Sequence, residues 1–204
     1  MQILIPLVVL IFSAIVHEVM HGVVANKLGD STARLMGRLT LNPIPHIDPL
    51  MSILVPALLL FSGSPILFGA AKPVPINPLN FSDPKKDMAL TALAGPLTNF
   101  VIAVAASFIL KTVGTSSDIL YAILSAVVLY NVVLAVINLI PIPPLDGSRV
   151  FAAFLPNEIA RAYMSIERFG IFILFTLLLF PIGDFSLGLV ISKLISYTVH
   201  LLGV

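Results

Sequence analysis

His17, Glu18 and His21 stand inside an otherwise apolar stretch, IFSAIVHEVMHGVVANK at residues 11–27. On a helix, side chains four apart leave the same face about one turn from each other, so both imidazoles can share a single metal ion. Glu18 neighbours the first histidine and can reach a water on that metal, the H-E-x-x-H spacing that suits zinc-assisted hydrolysis. A catalytic zinc usually takes three protein ligands and keeps one position for water. Two histidines leave that set incomplete. The chain has no cysteine, so thiolate ligands and disulfides are both excluded.

The third ligand has to come from Asp30, Asp48, Asp83, Asp87, Asp118, Asp146, Asp184, Glu158, Glu167, His46 or His200. Asp146 is the strongest candidate. It follows a break made by Pro141, Pro143 and Pro144 and precedes Gly147, at the end of an apolar segment. Irregular backbone at membrane depth is tolerated only where it is buried in protein or lines a polar cavity. On residue types alone, an Asp-Gly turn remains the competing reading of this position. Asn138 is a polar amide near the end of the same segment.

The elements that must position these groups belong to a membrane. Of 204 residues, 58% are hydrophobic and only 10% charged, with a mean hydropathy of +1.08. A soluble domain of this length needs far more polar surface. Apolar segments at 3–26, 88–110 and 119–140 are long enough to cross a bilayer, and 50–70 could do so by length alone. Runs at 169–180 and 185–202 read as a closing pair, the first extended by part of an amphipathic stretch at 148–168. The N-terminus lacks the basic cluster of a secretory signal, so the first helix is expected to be retained. Basic residues are scattered and form no tract, which argues against nucleic acid as a partner.

Residues 31–42, STARLMGRLTLN, mix β-branched, long and basic side chains around Gly37. They predict a short extended hairpin at the membrane surface. The stretches 42–49 and 69–87 are too rich in proline for helix and should be irregular connectors. There is no internal repeat and no extramembrane piece large enough to fold alone. The expected architecture is an all-α polytopic membrane protein, with about five transmembrane helices, a re-entrant hairpin and a short membrane-associated β element. It forms a single domain over 1–204, with a core at 1–149 and closing helices at 150–204.

HEVMH at 17–21, GPLTN at 95–99 and NLIPIPPLDG at 138–147, in that order, carry a resemblance to the site-2 proteases, zinc metalloproteases that cleave within the membrane. The chain resembles the compact members without PDZ or nucleotide-sensing domains. HIDP at 46–49 and AKPVPINP at 71–78 are similar to segments of that subgroup. The resemblance implies one zinc per chain, held by His17, His21 and Asp146, with Glu18 as general base. It also implies that Asn138 lies beside the active site, holding the substrate strand or the developing oxyanion. For Asn99 it implies substrate positioning or helix packing. His46 is a further candidate for assistance at the site, against a bland role in pinning its loop. The implied substrates are membrane proteins with a transmembrane helix.

Those assignments constrain topology. The basic residues that follow the first helix put its HEVMH end toward the cytoplasm. If Asp146 meets His17 and His21 there, the intervening chain crosses an even number of times. Segments 88–110 and 119–140 supply two crossings, so 50–70 is expected to enter and leave on one face. Lys27, Arg34, Arg38, Lys72, Lys85, Lys86, Arg149, Arg161 and Arg168 then lie on the cytoplasmic side, against Lys111 outside. An extended edge at 31–42 could add a strand to an unwound substrate.

Two other functions use the same residues. Intramembrane His, His and Asp could serve a metal transporter, although transporters usually show repeated halves. A catalytically inactive relative could instead bind membrane proteins. Replacing Glu18 by Gln separates these readings, because only a protease loses function while keeping its zinc.

Overall fold

The computed structural model describes residues 4–54, 58, 61, 71–113 and 117–204. Helix α1 spans Leu4–Lys27, with Pro6 in its first turn, where a missing N–H does little harm. A single helical turn, α2, follows at Thr32–Leu35. Helix α3 runs from Pro84 to Val113, and α4 from Asp118 to Asn138, its first turn capped by the Ser117 side chain on the Leu120 N–H. Short α5 (Asp146–Phe154) and α6 (Asn157–Met164) lead to α7 (Glu167–Leu179) and α8 (Leu187–Leu202).

Helices α1, α3 and α4 are long and apolar enough to cross a membrane, and α6 with α7 makes a fourth only as a pair bent by 67°. Helix α8, with 16 residues, is about 24 Å long, short of a hydrocarbon core of about 30 Å. The protein is thus mostly helical, with three or four candidate membrane helices among its described residues where the sequence led to about five. Pro49–Leu54 form a π-helical turn. The expected re-entrant hairpin at 50–70 otherwise lies largely outside the described residues.

Helices α1, α3 and α4 pack on one another through small side chains. Ala103 and Ala106 of α3 are buried with Val128 and Val132 of α4, and Ile195 and Val199 of α8 cover the cluster. Small residues let backbones approach closely where lipid gives no hydrophobic drive for association. At the far end of α3 the Ser107 hydroxyl donates to the Leu202 carbonyl, which ties the end of α8 to it.

Among the described residues the expected short β element is not seen, and residues 31–42 fold differently. The segment closes on itself: the N–H groups of Leu35, Met36 and Arg38 donate to the carbonyls of Ser31, Thr32 and Ala33. Gly37 turns the chain at φ +66. The reason lies one residue upstream. The Asp30 carboxylate accepts from both the N–H (3.1 Å) and the hydroxyl (2.5 Å) of Thr32, a local side-chain bond that starts a helical turn rather than a ladder. Residues 31–42 thus hold no strand.

Candidate metal centre

Ser13, His17 and His21 recur every four residues along α1, and all three are buried. Helix α3 crosses this face at Gly95. A Cβ there would lie 2.5 Å from Nε2 of His21 and 2.6 Å from Nε2 of His17, so only glycine allows the helix so close. The proline break after α4 folds back tightly and carries Asp146 to the same place. A Cβ on Gly147 would lie 2.2 Å from the Leu139 carbonyl oxygen, which shows how close that return is.

Asp146 Oδ2 sits 3.0 Å from Nε2 of His17 and 3.3 Å from Nε2 of His21. The two imidazoles meet edge to face, with centroids 4.6 Å apart. One ligand atom from each of the three residues lies within 4.8 Å of the others.

The far sides of both rings fix their protons. Nδ1 of His21 lies 2.7 Å from the Thr91 carbonyl, an acceptor only, so this nitrogen carries the hydrogen. Nδ1 of His17 lies 2.5 Å from Asn99 Oδ1. The Asn99 NH2 is occupied in donating to Asn131 Oδ1 (2.7 Å) and the Ser13 carbonyl (3.3 Å), so its oxygen faces His17 as acceptor. Asn131 in turn donates to the Ser13 hydroxyl at 2.8 Å. Both Nε2 lone pairs are left pointing at Asp146. Two neutral imidazoles and a carboxylate, with their outer nitrogens already bonded, form a donor set that fits zinc.

Glu18 follows His17 and accepts the Val74 N–H on Oε2 at 2.8 Å. Val74 belongs to a proline-rich segment, residues 71–77, that carries neither helix nor strand. Asn99 stands behind His17 with no exposed surface. Asn138 ends α4, and its NH2 donates to the Leu134 carbonyl of its own helix at 3.0 Å. His46 is buried, its Nε2 donates to the Thr40 carbonyl at 2.9 Å, and it lies outside the metal-ligand group.

Thr91, Asn131 and Ser13 escape a search for metal ligands because none of them is one. The available signal was polar side chains inside apolar spans, which face the bundle interior and seek partners there.

A model of peptidase family M50 matches residues 111–180, which include Asn138 and Asp146. YwhC of Bacillus subtilis, named for zinc metalloprotease activity, is 35% identical over 188 residues, covering 88% of this chain and 82% of its own length. Rip2 of Mycolicibacterium smegmatis is 29% identical over 175 residues, and Rip2 of Mycobacterium tuberculosis 31% over 173, both named in the same way. The chain spans 65% and 64% of those two proteins. No solved structure matches it. With HEVMH in α1, Asp146 brought beside it and a relative this similar over most of both chains, the chain belongs to peptidase family M50, the membrane zinc metalloproteases that include the site-2 proteases.

Proposed function

We propose that this protein hydrolyses peptide bonds in or near the transmembrane segments of membrane proteins, with His17, His21 and Asp146 as its zinc ligands and Glu18 as general base. The observation that carries this reading is the convergence of three ligand atoms within 4.8 Å of one another, beside a carboxylate on the same helix. When bound, zinc supplies a Lewis acid that polarises a carbonyl and acidifies water. Glu18 takes the proton from the attacking water and returns it to the leaving amine. Its Oε2 is held by the Val74 amide, which leaves Oε1 for that transfer. Thr91 and Asn99 hold the imidazoles in the ligating tautomer. In this reading Asn138, at the end of α4, meets the substrate strand once its amide turns from the Leu134 carbonyl. Asn99 serves the substrate only indirectly, through His17, and His46 acts on the connector that carries Val74.

The site faces the cytoplasm in this reading, on the side where all the connector lysines and arginines except Lys111 collect. The domain is a core of residues 1–149 closed by 150–204. A cysteine-accessibility scan that placed Ser82 or Lys86 outside the cell would overturn this topology. The function itself is tested with purified protein and a panel of single-span helices. Cleavage is expected with zinc, is abolished by a chelator and returns when zinc is added back. Glu18→Gln is expected to abolish cleavage while zinc content stays at one per chain. Retained cleavage in that variant removes Glu18 from the mechanism.

A further inference from the structure

We infer that Arg38 is a positioning residue for Glu18, acting through the segment 72–77, which it holds just before Val74 while Asp30 anchors the far end. The inference rests on Glu18 as the proton acceptor and asks what aims it. Side chains on a helix are free to choose among rotamers, and a misplacement of about 1 Å at a reacting centre can cost about 100-fold in rate. Glu18 is aimed by one backbone donor, the Val74 N–H at 2.8 Å.

Val74 stands between Pro73 and Pro75, which have no N–H to offer, so the prolines leave a single donor at this point and also bar the segment from helix. Its own side chain is buried against Gly22, where a Cβ would lie 3.0 Å from Val74 Cγ1 and 2.6 Å from Leu39 Cδ2.

The segment is held on both sides of that donor. Upstream, the Arg38 guanidinium donates to the Lys72 carbonyl at 2.7 Å and to the Pro73 carbonyl at 3.3 Å, the two carbonyls that precede Val74. The Lys72 N–H donates to the His46 carbonyl at 2.8 Å. Downstream, the fully buried Asp30 accepts the Asn77 N–H and the Asn80 NH2, each at 2.7 Å. Arg38 is itself only 6% exposed, and among the described residues it is in no ion pair. A buried cation is costly unless its hydrogens are satisfied. Its NH2 group is spent on the backbone that delivers the amide to Glu18, while its buried Nε has no partner among the described residues.

The test is steady-state cleavage of a single-span peptide by the purified, zinc-loaded protein. Arg38→Ala is expected to lower kcat by about 10- to 100-fold, with KM within about twofold and zinc content unchanged. Arg38→Lys, which can still donate to one carbonyl, and millimolar guanidinium added to Arg38→Ala are each expected to restore part of the rate. Val74→Pro, which removes the N–H itself, should fall about tenfold or more below Val74→Ala, which keeps it. Should Val74→Pro fail to fold, the Arg38 pair and the guanidinium rescue decide. A wild-type kcat in Arg38→Ala, a loss confined to KM, or a loss that follows zinc content overturns the inference. Glu18→Gln measured alongside separates the two readings. If it keeps activity, the proton acceptor is misassigned; if it is inactive while Arg38→Ala is normal, only the positioning role fails.

Discussion

Asn99 holds His17 from behind: its Oδ1 lies 2.5 Å from the histidine Nδ1, and its NH2 is anchored on Asn131 and Ser13. The amide thus selects the tautomer that leaves Nε2 free toward Asp146. Outer partners of metal-bound histidines typically matter by 10- to 100-fold in affinity. Asn99→Ala is therefore expected to weaken zinc binding by about 10- to 100-fold, read by competition against a chelator, with the helical circular dichroism retained. Asn131→Ala, one bond further out, should have a smaller effect in the same direction.

Gly95 is the point where α3 meets both imidazoles. A methyl group 2.5 to 2.6 Å from three ring atoms has to push α3 and α1 apart or turn the rings. Gly95→Ala is expected to lose bound zinc and cleavage together. Gly37→Ala is the contrast: it has open space around it and a positive φ of 66, so it should cost only about 1–2 kcal/mol of backbone strain. Zinc content and thermal unfolding in detergent measure both.

Asp30 carries the acid sensitivity of the connector. Burial acts to raise its pKa, but hydrogen bonds from Thr32, Asn80 and Asn77 outweigh that and hold the carboxyl below its ordinary value. A carboxyl with a depressed folded-state pKa contributes stability above its unfolded value of about 3.9, and that stability is lost as pH falls through the lower folded value. Asp30→Asn should therefore be less stable than wild type at neutral pH. The difference should shrink below about pH 4, as thermal unfolding across pH 3 to 7 will register.

Arg149 pairs with Glu167 at 2.7 Å and also donates to the Pro144 carbonyl at 3.2 Å, two residues before Asp146. The ion pair is partly exposed, so Glu167→Gln should cost no more than about 1 kcal/mol. Arg149→Ala loses the grip on the loop as well, and is expected to lower zinc affinity where Glu167→Gln does not. Paired chelator titrations of the two variants check this.

The spacing in HEVMH placed His17 and His21 on one helix face because the helical period is local and needs no tertiary information. The proline break before Asp146 likewise marked a place where the backbone had to leave the helix. In segment 31–42 the β-branched Thr32 and Thr40 speak for a strand. The deciding contact is the Asp30 carboxylate on Thr32, and it competes with that propensity.

Composition and patterning alone determined a membrane protein with a histidine pair, a neighbouring glutamate and a shortage of further ligands, since hydropathy and helical period are properties of consecutive residues. Only the tertiary structure decided what stands behind each imidazole, how close α3 comes at Gly95, and that the Val74 amide reaches Glu18. Those contacts join residues as far apart as His17 and Asn99. No local rule links such pairs, and they meet because α1, α3 and α4 pack through small side chains into one bundle, with the proline break folded back against it.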